Sequence, residues 1–206
     1  MNARVLKRFI VYMAILTFVM FTVWALIRSF MNRPPGDYET EVCDNRLKDK
    51  LYDKAIQAAN IALEKTPNHR GAIMCKALVF ISQKMYLDAN EELNYLINFL
   101  EKTIEDDDLT GIGTLAAAYA NRGIINDRNK NYEEALQDYV KALGIDYEAV
   151  AGPGLGTVIL NYKFKSSSVK ERALYLNEQL QLPENERVLS IKELDEGQVM
   201  HKPGKL

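Results

Sequence analysis

Asn131-Tyr132-Glu133-Glu134-Ala135-Leu136-Gln137-Asp138-Tyr139-Val140-Lys141-Ala142-Leu143 is the stretch that decides the fold. Tyr132, Ala135, Tyr139, Ala142 and Leu143 recur at steps of three and four, which puts them on one side of an α-helix. The same signature occurs twice upstream, as Tyr52-x-x-Ala55-x-x-x-Ala59-x-x-Ala62-Leu63 and as Tyr86-x-x-Ala89-x-x-x-Leu93-x-x-Leu96-Ile97. The first two copies lie 34 residues apart and the last two 46 apart. A repeat of this length marks an array of helical hairpins, each burying its apolar face on its neighbours.

The residue types carry a packing mechanism. Small Ala55, Ala89 and Ala135 recur where a helix must approach its hairpin partner closely, and Tyr52, Tyr86 and Tyr132 open each helix with a ring that wedges against the partner. The 34-residue step and these residues resemble the tetratricopeptide (TPR) repeat. The fullest match is Ala120-Asn121-Arg122-Gly123 together with the stretch quoted above. In the first copy, Cys43 and Arg46 stand where the family usually has glycine and an aromatic ring. The resemblance implies an all-α, TPR-like solenoid of three repeats over residues 37–182, with degenerate helices capping its carboxy-terminal end.

The longer second interval has a local cause. Leu93, Leu96, Ile97, Leu100 and Ile104 keep helical spacing past the usual end of a repeat, and Leu109, Ile112, Ala116, Tyr119, Ala120 and Ile124 start early. Twelve extra residues thus lengthen the two helices flanking Glu105-Asp106-Asp107-Asp108 by about six each, or roughly 9 Å. That hairpin is expected to protrude, with Asp capping its second helix.

The amino terminus has a different character. Between Arg8 and Arg28, nineteen residues carry no charge, Gly or Pro, and reach about 28 Å as a helix, close to the thickness of a bilayer core. Tyr12 and Trp24 sit near its ends, where amphipathic rings favour the interface. A cleaved signal has a shorter apolar region and a small-residue exit, whereas here the exit reads Arg28-Ser29-Phe30-Met31-Asn32-Arg33. We read residues 1–8 as a cytoplasmic tail and residues 9–28 as an uncleaved anchor in membrane lipid, with Arg8, Tyr12, Trp24 and Arg28 at the interfaces. Residues 29–36, with Pro34-Pro35-Gly36, form a spacer. Arg4, Lys7 and Arg8 before the span, against Arg28 and Arg33 after it, predict a cytoplasmic amino terminus. The remainder then faces the periplasm from a bacterial inner membrane.

The whole chain holds 26 Lys plus Arg and 28 Asp plus Glu. The first 28 residues hold four basic and no acidic side chains, so the rest carries 22 against 28, a formal charge of −6. Such a domain lacks the basic footprint of a nucleic-acid binder. Cys43 and Cys75 fall in predicted helices and read as buried small apolar residues; in an oxidising compartment a disulfide between the first two repeats is the alternative.

Past the third repeat, Gly152-Pro153-Gly154-Leu155-Gly156 lacks the Lys and Ser/Thr of a phosphate loop and reads as a breaker. A short helix follows over residues 158–164, and Ser168-x-x-Glu171 has capping-box spacing ahead of a helix to about Gln181. Pro183-Glu184-Asn185-Glu186 starts one further short helix. The tail, residues 183–206, lies in a groove of its own domain, docks on a partner, or is disordered. His69 and His201 have no ligand-spaced companions, the Ser166-Ser167-Ser168 run has no paired base, and the acidic turn lacks a calcium-loop pattern. We expect no catalytic residue, metal, cofactor or small-molecule substrate.

The function expected is therefore a surface that binds other proteins. In the TPR family the first helix of each repeat lines a concave groove. The matching positions here are Met74, Leu78 and Ile81 in the second repeat and Ala117, Ala120, Asn121, Ile124, Asp127 and Arg128 in the third. Met74 and Ile81 are alternatively buried under the carboxy-terminal helices. The Lys and Asn clamp with which some members hold a terminal carboxylate is absent: Thr40, Asp44, Cys75 and Ala117 stand at its positions, and only Asn121 matches. Two roles fit, a membrane-tethered scaffold or assembly factor, and a permanent accessory subunit clasping the exposed face of a larger membrane complex.

Overall fold

The apolar amino terminus forms α1, Ala3–Met31, in a computed structural model that describes residues 3–31, 33–150, 168–191, 198, 200 and 201. Its 29 residues reach about 43 Å, and the segment Ala3–Arg28 is long and apolar enough to cross a membrane and is exposed throughout. Thr17 and Thr22 bond back to the carbonyl oxygens of Met13 and Val19, both at 2.8 Å, so neither hydroxyl is left unpaired in an apolar surround.

Among the described residues all regular structure is helical. After the Pro34-Pro35-Gly36 break come α2 (Asp37–Lys48), α3 (Tyr52–Lys65), α4 (Arg70–Ser82), α5 (Tyr86–Thr103), α6 (Leu109–Arg128), α7 (Tyr132–Ile145), the single turn α8 (Tyr147–Val150) and α9 (Val169–Leu180). Gly36 precedes α2 at φ +95°, where a Cβ would meet the His69 ring at 2.8 Å. The closest partners are α2 with α3, α4 with α5 and α6 with α7; α2 also touches α4, and α4 touches α6. Consecutive hairpins thus meet through their first helices and, at least as extensively, through the second helix of one and the first of the next, α3 on α4 and α5 on α6.

The turn inside each hairpin is the same object three times. Leu51, Met85 and Asn131 donate their N–H groups to the carbonyls of Arg46, Phe80 and Asn126, at 2.8, 2.9 and 2.8 Å. Lys50, Lys84 and Lys130 donate to Leu47, Ile81 and Asp127, each at 3.0 Å. These paired bonds are a Schellman motif, whose turning residue must take the left-handed conformation. The three lysines do so, at φ 58°, 62° and 66°. A tyrosine follows two residues later in every case, at the first position of the next helix.

The long hairpin is extended unequally. α5 has 18 residues against 14 in α3, and α6 has 20 against 13 in α4. The extra length therefore goes mostly into α6 rather than being shared as six and six. Asp108 caps α6 by accepting from the Gly111 N–H at 2.8 Å. The same carboxyl also pairs with Arg70, and the two partners, Arg70 first, hold it below the usual carboxylate range.

α6 is the centre of the molecule, buried on all sides from Gly113 to Ile125 except at Arg122. It comes close to α7 at Gly123, where a Cβ would lie 2.7 Å from the Tyr139 ring. The main core gathers Leu78, Ile81, Leu93, Leu96, Leu100, Ile124, Ile125, Tyr139 and Leu176. A second, smaller cluster of Ala55, Ala58, Ala59, Val79 and the two cysteines sits under the first hairpin.

Cys43 and Cys75 correct the reading of two merely buried thiols, because they are joined by a disulfide. The physical reason is the contact between first helices. α2 and α4 bring the two Cα atoms to 6.4 Å, within bridging range.

At the other end, Ser168 and Glu171 form the predicted capping box, with both bonds at 3.1 Å. α9 packs on α7, and a 3₁₀ turn, Glu184–Glu186, follows. The predicted breaker at 152–156 and helix at 158–164 lie outside the described residues.

Candidate functional site: a groove that holds a peptide segment

The predicted groove positions come together on α4 and α6. Met74, Leu78, Ile81, Ala117, Ala120, Asn121, Ile124 and Asp127 are all buried, and Arg128 is half-buried. An open groove would leave several of them wet. Two things contribute to covering them: α9, and the chain's own tail.

Beside α4 and α6 the tail is held at the described positions Gln198, Met200 and His201. At His201, the Asn121 side chain bonds both main-chain groups: its Oδ1 accepts from the His201 N–H at 2.8 Å, and its Nδ2 donates to the His201 carbonyl at 2.7 Å. An asparagine used in this way reads the backbone of one residue and not its side chain. Asn121 is completely buried, and its Nδ2 also faces the Met74 sulfur at 3.5 Å. Met200 packs against the main core and accepts from the Ser82 hydroxyl at its sulfur, 3.9 Å away.

Gln198 is the third contact, and it falls on a buried charge network. Its amide donates to Asp127 at 2.6 Å and to the Tyr139 hydroxyl at 3.2 Å. Asp127 also takes a two-pronged pair from Arg172 of α9, at 2.7 and 2.6 Å, and a bond from Tyr139 at 3.2 Å. Arg172 is 1% exposed. Burial, then the neighbouring Asp127 charge, pushes the Tyr139 phenol well above its usual range. Arg172 turns as well to the tail, donating to the Leu189 carbonyl at 2.9 Å, while Tyr175 donates to that of Val188 at 2.6 Å. A small cleft lies between Ile124, Tyr139, Val169, Arg172, Gln198 and His201. Burial there pushes the His201 imidazole down to about 4.

Arg172 and Gln198 escaped the sequence reading. Arg172 nevertheless left a signal, since Val169, Ala173 and Leu176 define the buried face of α9 and Arg172 stands on that same face. A cation placed there requires a buried anion.

At the amino terminus Arg8, Tyr12, Trp24 and Arg28 are all exposed on α1. The Arg28 guanidinium lies over the Trp24 ring, 5.1 Å from its centroid. Among the described residues no three His, Cys, Asp or Glu side chains gather as metal ligands would. No protein-family model matches the chain, and no curated protein matches it.

Proposed function

We propose that this chain is a membrane-tethered, TPR-like scaffold or assembly factor that binds other proteins through the α4–α6 groove and carries out no chemistry itself. The observation that carries the proposal is the pair of bonds from Asn121 to the main-chain N–H and C=O of one residue, His201. A buried side chain that satisfies both a main-chain donor and a main-chain acceptor is suited to peptide capture whatever the sequence captured. The three identical hairpin turns and the contact of first helices support the TPR-like reading.

The Cys43–Cys75 disulfide supports the topology expected from the flanking charges, with the helical domain outside the cytoplasm, since disulfides persist in oxidising compartments. In a Gram-negative cell this is the periplasmic face of the inner membrane, with α1 as the anchor.

The test is a photo-crosslinking side chain in place of half-buried Arg128 in the full, membrane-inserted chain. Adducts with other proteins that disappear in Asn121→Ala support groove binding. Adducts with lipid alone, or none, overturn it. A single stoichiometric set of proteins, unaffected by Asn121→Ala, makes the chain a permanent accessory subunit instead.

A further inference from the structure

We infer that the spacer is a fixed joint rather than a loose tether, and that it turns one end of the helical domain, the end carrying the α5–α6 turn, onto the lipid headgroups of the bilayer that holds α1. The inference rests on the reading of α1 as a membrane anchor.

Antiparallel hairpins give the domain two ends. The Schellman turns at Lys50, Lys84 and Lys130 stand at one. At the other stand the starts of α2, α4, α6 and α8 with the ends of α3, α5 and α7. Arg70, which opens α4, pairs with Asp108, which caps α6, and so ties neighbouring hairpins together at this second end.

The spacer is fastened to that same end. The Thr66 hydroxyl, in the turn between α3 and α4, donates to the Pro35 carbonyl at 2.8 Å, and the Asp37 N–H donates to the Pro34 carbonyl at 3.2 Å. Gly36 is buried, and a Cβ there would lie 2.8 Å from the His69 ring and 3.1 Å from the Ala62 carbonyl. His69 bonds Asp37 at 2.9 Å and caps α4 by accepting from the Ala72 N–H at 3.2 Å. Arg33 pairs with Glu41 at 2.8 Å. A flexible linker stays solvated and makes no such set of contacts.

Chain reach then sets the depth. α1 continues three residues past Arg28, about 4.5 Å, and the four steps from Met31 to Pro35 add at most about 14 Å. Pro35 therefore lies within roughly 20 Å of the interface at Arg28. The α5–α6 hairpin extends beyond the level of Pro35 and Thr66. The Tyr95 hydroxyl meets Asn68, in the same turn as Thr66, at 2.5 Å, and eight more residues of α5, about 12 Å, follow before Thr103. With this end toward the lipid, the turn at Glu105 to Asp108 comes within about 8 Å of the interface.

The surface of this end suits such a place. Tyr38, Leu109 and Tyr147 fall within the first two residues of α2, α6 and α8, and all three are exposed. Tyrosine rings favour the headgroup layer. Exposed Glu105, Asp106 and Asp107 hold the tip among the headgroups and out of the hydrocarbon, where a charge is costly. Partners gripped at this end are thereby met beside the bilayer.

The test places a fluorophore on Asp107→Cys or, at the far end of the same hairpin, on Glu133→Cys, in the full chain with its disulfide intact. The chain sits in phosphatidylcholine–phosphatidylglycerol vesicles that carry a nitroxide quencher on the headgroup. The expected result is loss of fluorescence at 107 and none at 133. Inserting six glycine and serine residues between Arg33 and Pro34 lengthens the joint by up to about 20 Å and should abolish the loss at 107. Quenching at 107 that survives the insertion overturns the role of the joint. A chain that resists an alkaline carbonate wash but is quenched equally at both positions, more at 133, or at neither, overturns the pose and leaves the anchor standing. A chain washed from the vesicles overturns the anchor, and the pose with it.

Discussion

The first and third hairpins share one turn and one helix signature but are held together by different physics. Under α2 and α3 the core is made of Ala55, Ala58, Ala59, Val79 and two cysteines. Around it lie a surface pair, Lys65 with Glu39 at 2.7 Å, of the sort that contributes little, and a partly buried hydrogen bond between His69 and Asp37 at 2.9 Å. α6 and α7 instead close on a tyrosine ring with leucine and isoleucine side chains, and a buried ion pair ties α6 to α9. Alanine brings helices close but buries little apolar area, so a hairpin built on it gains less from packing. The disulfide ties the hairpin with the smaller core, through α2, to α4 of the next.

The largest break in this contrast is at the third hairpin. Arg172→Leu leaves Asp127 buried beside Tyr139 and Gln198 without its cation, and removal of one partner of a buried pair costs about 3–5 kcal/mol. Chemical denaturation reads the loss directly. Arg172→Leu with Asp127→Leu should recover part of it, because no charge is then stranded. A single-variant loss under about 1 kcal/mol would show the pair to be wet.

At the first hairpin the matching variant is Cys43→Ala with Cys75→Ala. Opening a cross-link 32 residues apart costs about 3–4 kcal/mol on a chain-entropy argument. The discriminating readout is location: amide exchange should rise in α2 and α3 and stay slow in α6 and α7. Uniform loss across both hairpins would mean the small core does not depend on its staple.

Packing inside the third hairpin is tested by glycine. Gly123→Ala puts a methyl against Tyr139 with nowhere to go and should cost about 1–3 kcal/mol. Gly144→Ala, with nothing within 4 Å, should gain about 0.5–1 kcal/mol from helix propensity. Thermal melts of the two variants must move in opposite directions for the close approach at Gly123 to stand.

Acid should loosen the tail before either hairpin. Burial holds the His201 imidazole at about 4, against an ordinary value near 6.5, beside the Arg172–Asp127 pair and Tyr139. The group is neutral when docked and gains a proton more readily when released. Docking is therefore at full strength above about pH 6.5, and weakens as pH falls from there toward 4. At pH 4.5 the released fraction should rise by roughly one to two orders of magnitude. Amide exchange at His201, compared with His201→Phe, checks this; a pH response that survives the phenylalanine has another source.

How much of this was legible follows from where each signal lives. Helix spacing and the tyrosine–alanine signature are local, so α3, α5 and α7 were placed from the sequence to their first residue, and the acidic turn at Asp108 was placed with its cap. The groove positions on α4 and α6 came instead from the resemblance to the TPR repeat. What covers them did not, because Gln198, Met200 and His201 lie 59 to 118 residues from their partners and show no period. The Cys43–Cys75 pairing was a matter of which helices touch, and spacing left it open. Arg172 was visible as a cation on an apolar helix face, yet its anion lies 45 residues away.

The left-handed lysines were the least expected feature, and they sharpen the comparison most finely because both hairpins share them. Lys50 and Lys130 hold the same φ, 58° and 66°, with the same paired bonds, although the cores beneath them differ. An L-residue there costs about 1–2 kcal/mol that glycine does not pay. Glycine in turn loses more chain entropy on folding, by about 0.5–1 kcal/mol. Lys50→Gly, Lys84→Gly and Lys130→Gly should therefore each stabilise the chain by about 0.5–1 kcal/mol, and the triple variant should show the sum. If the gain is equal at all three, the turns are set by backbone geometry alone and owe nothing to the cores. A gain at Lys50 with none at Lys130 would mean that tight packing in the third hairpin already fixes its turn, so that the difference between the two hairpins reaches into the one element they have in common.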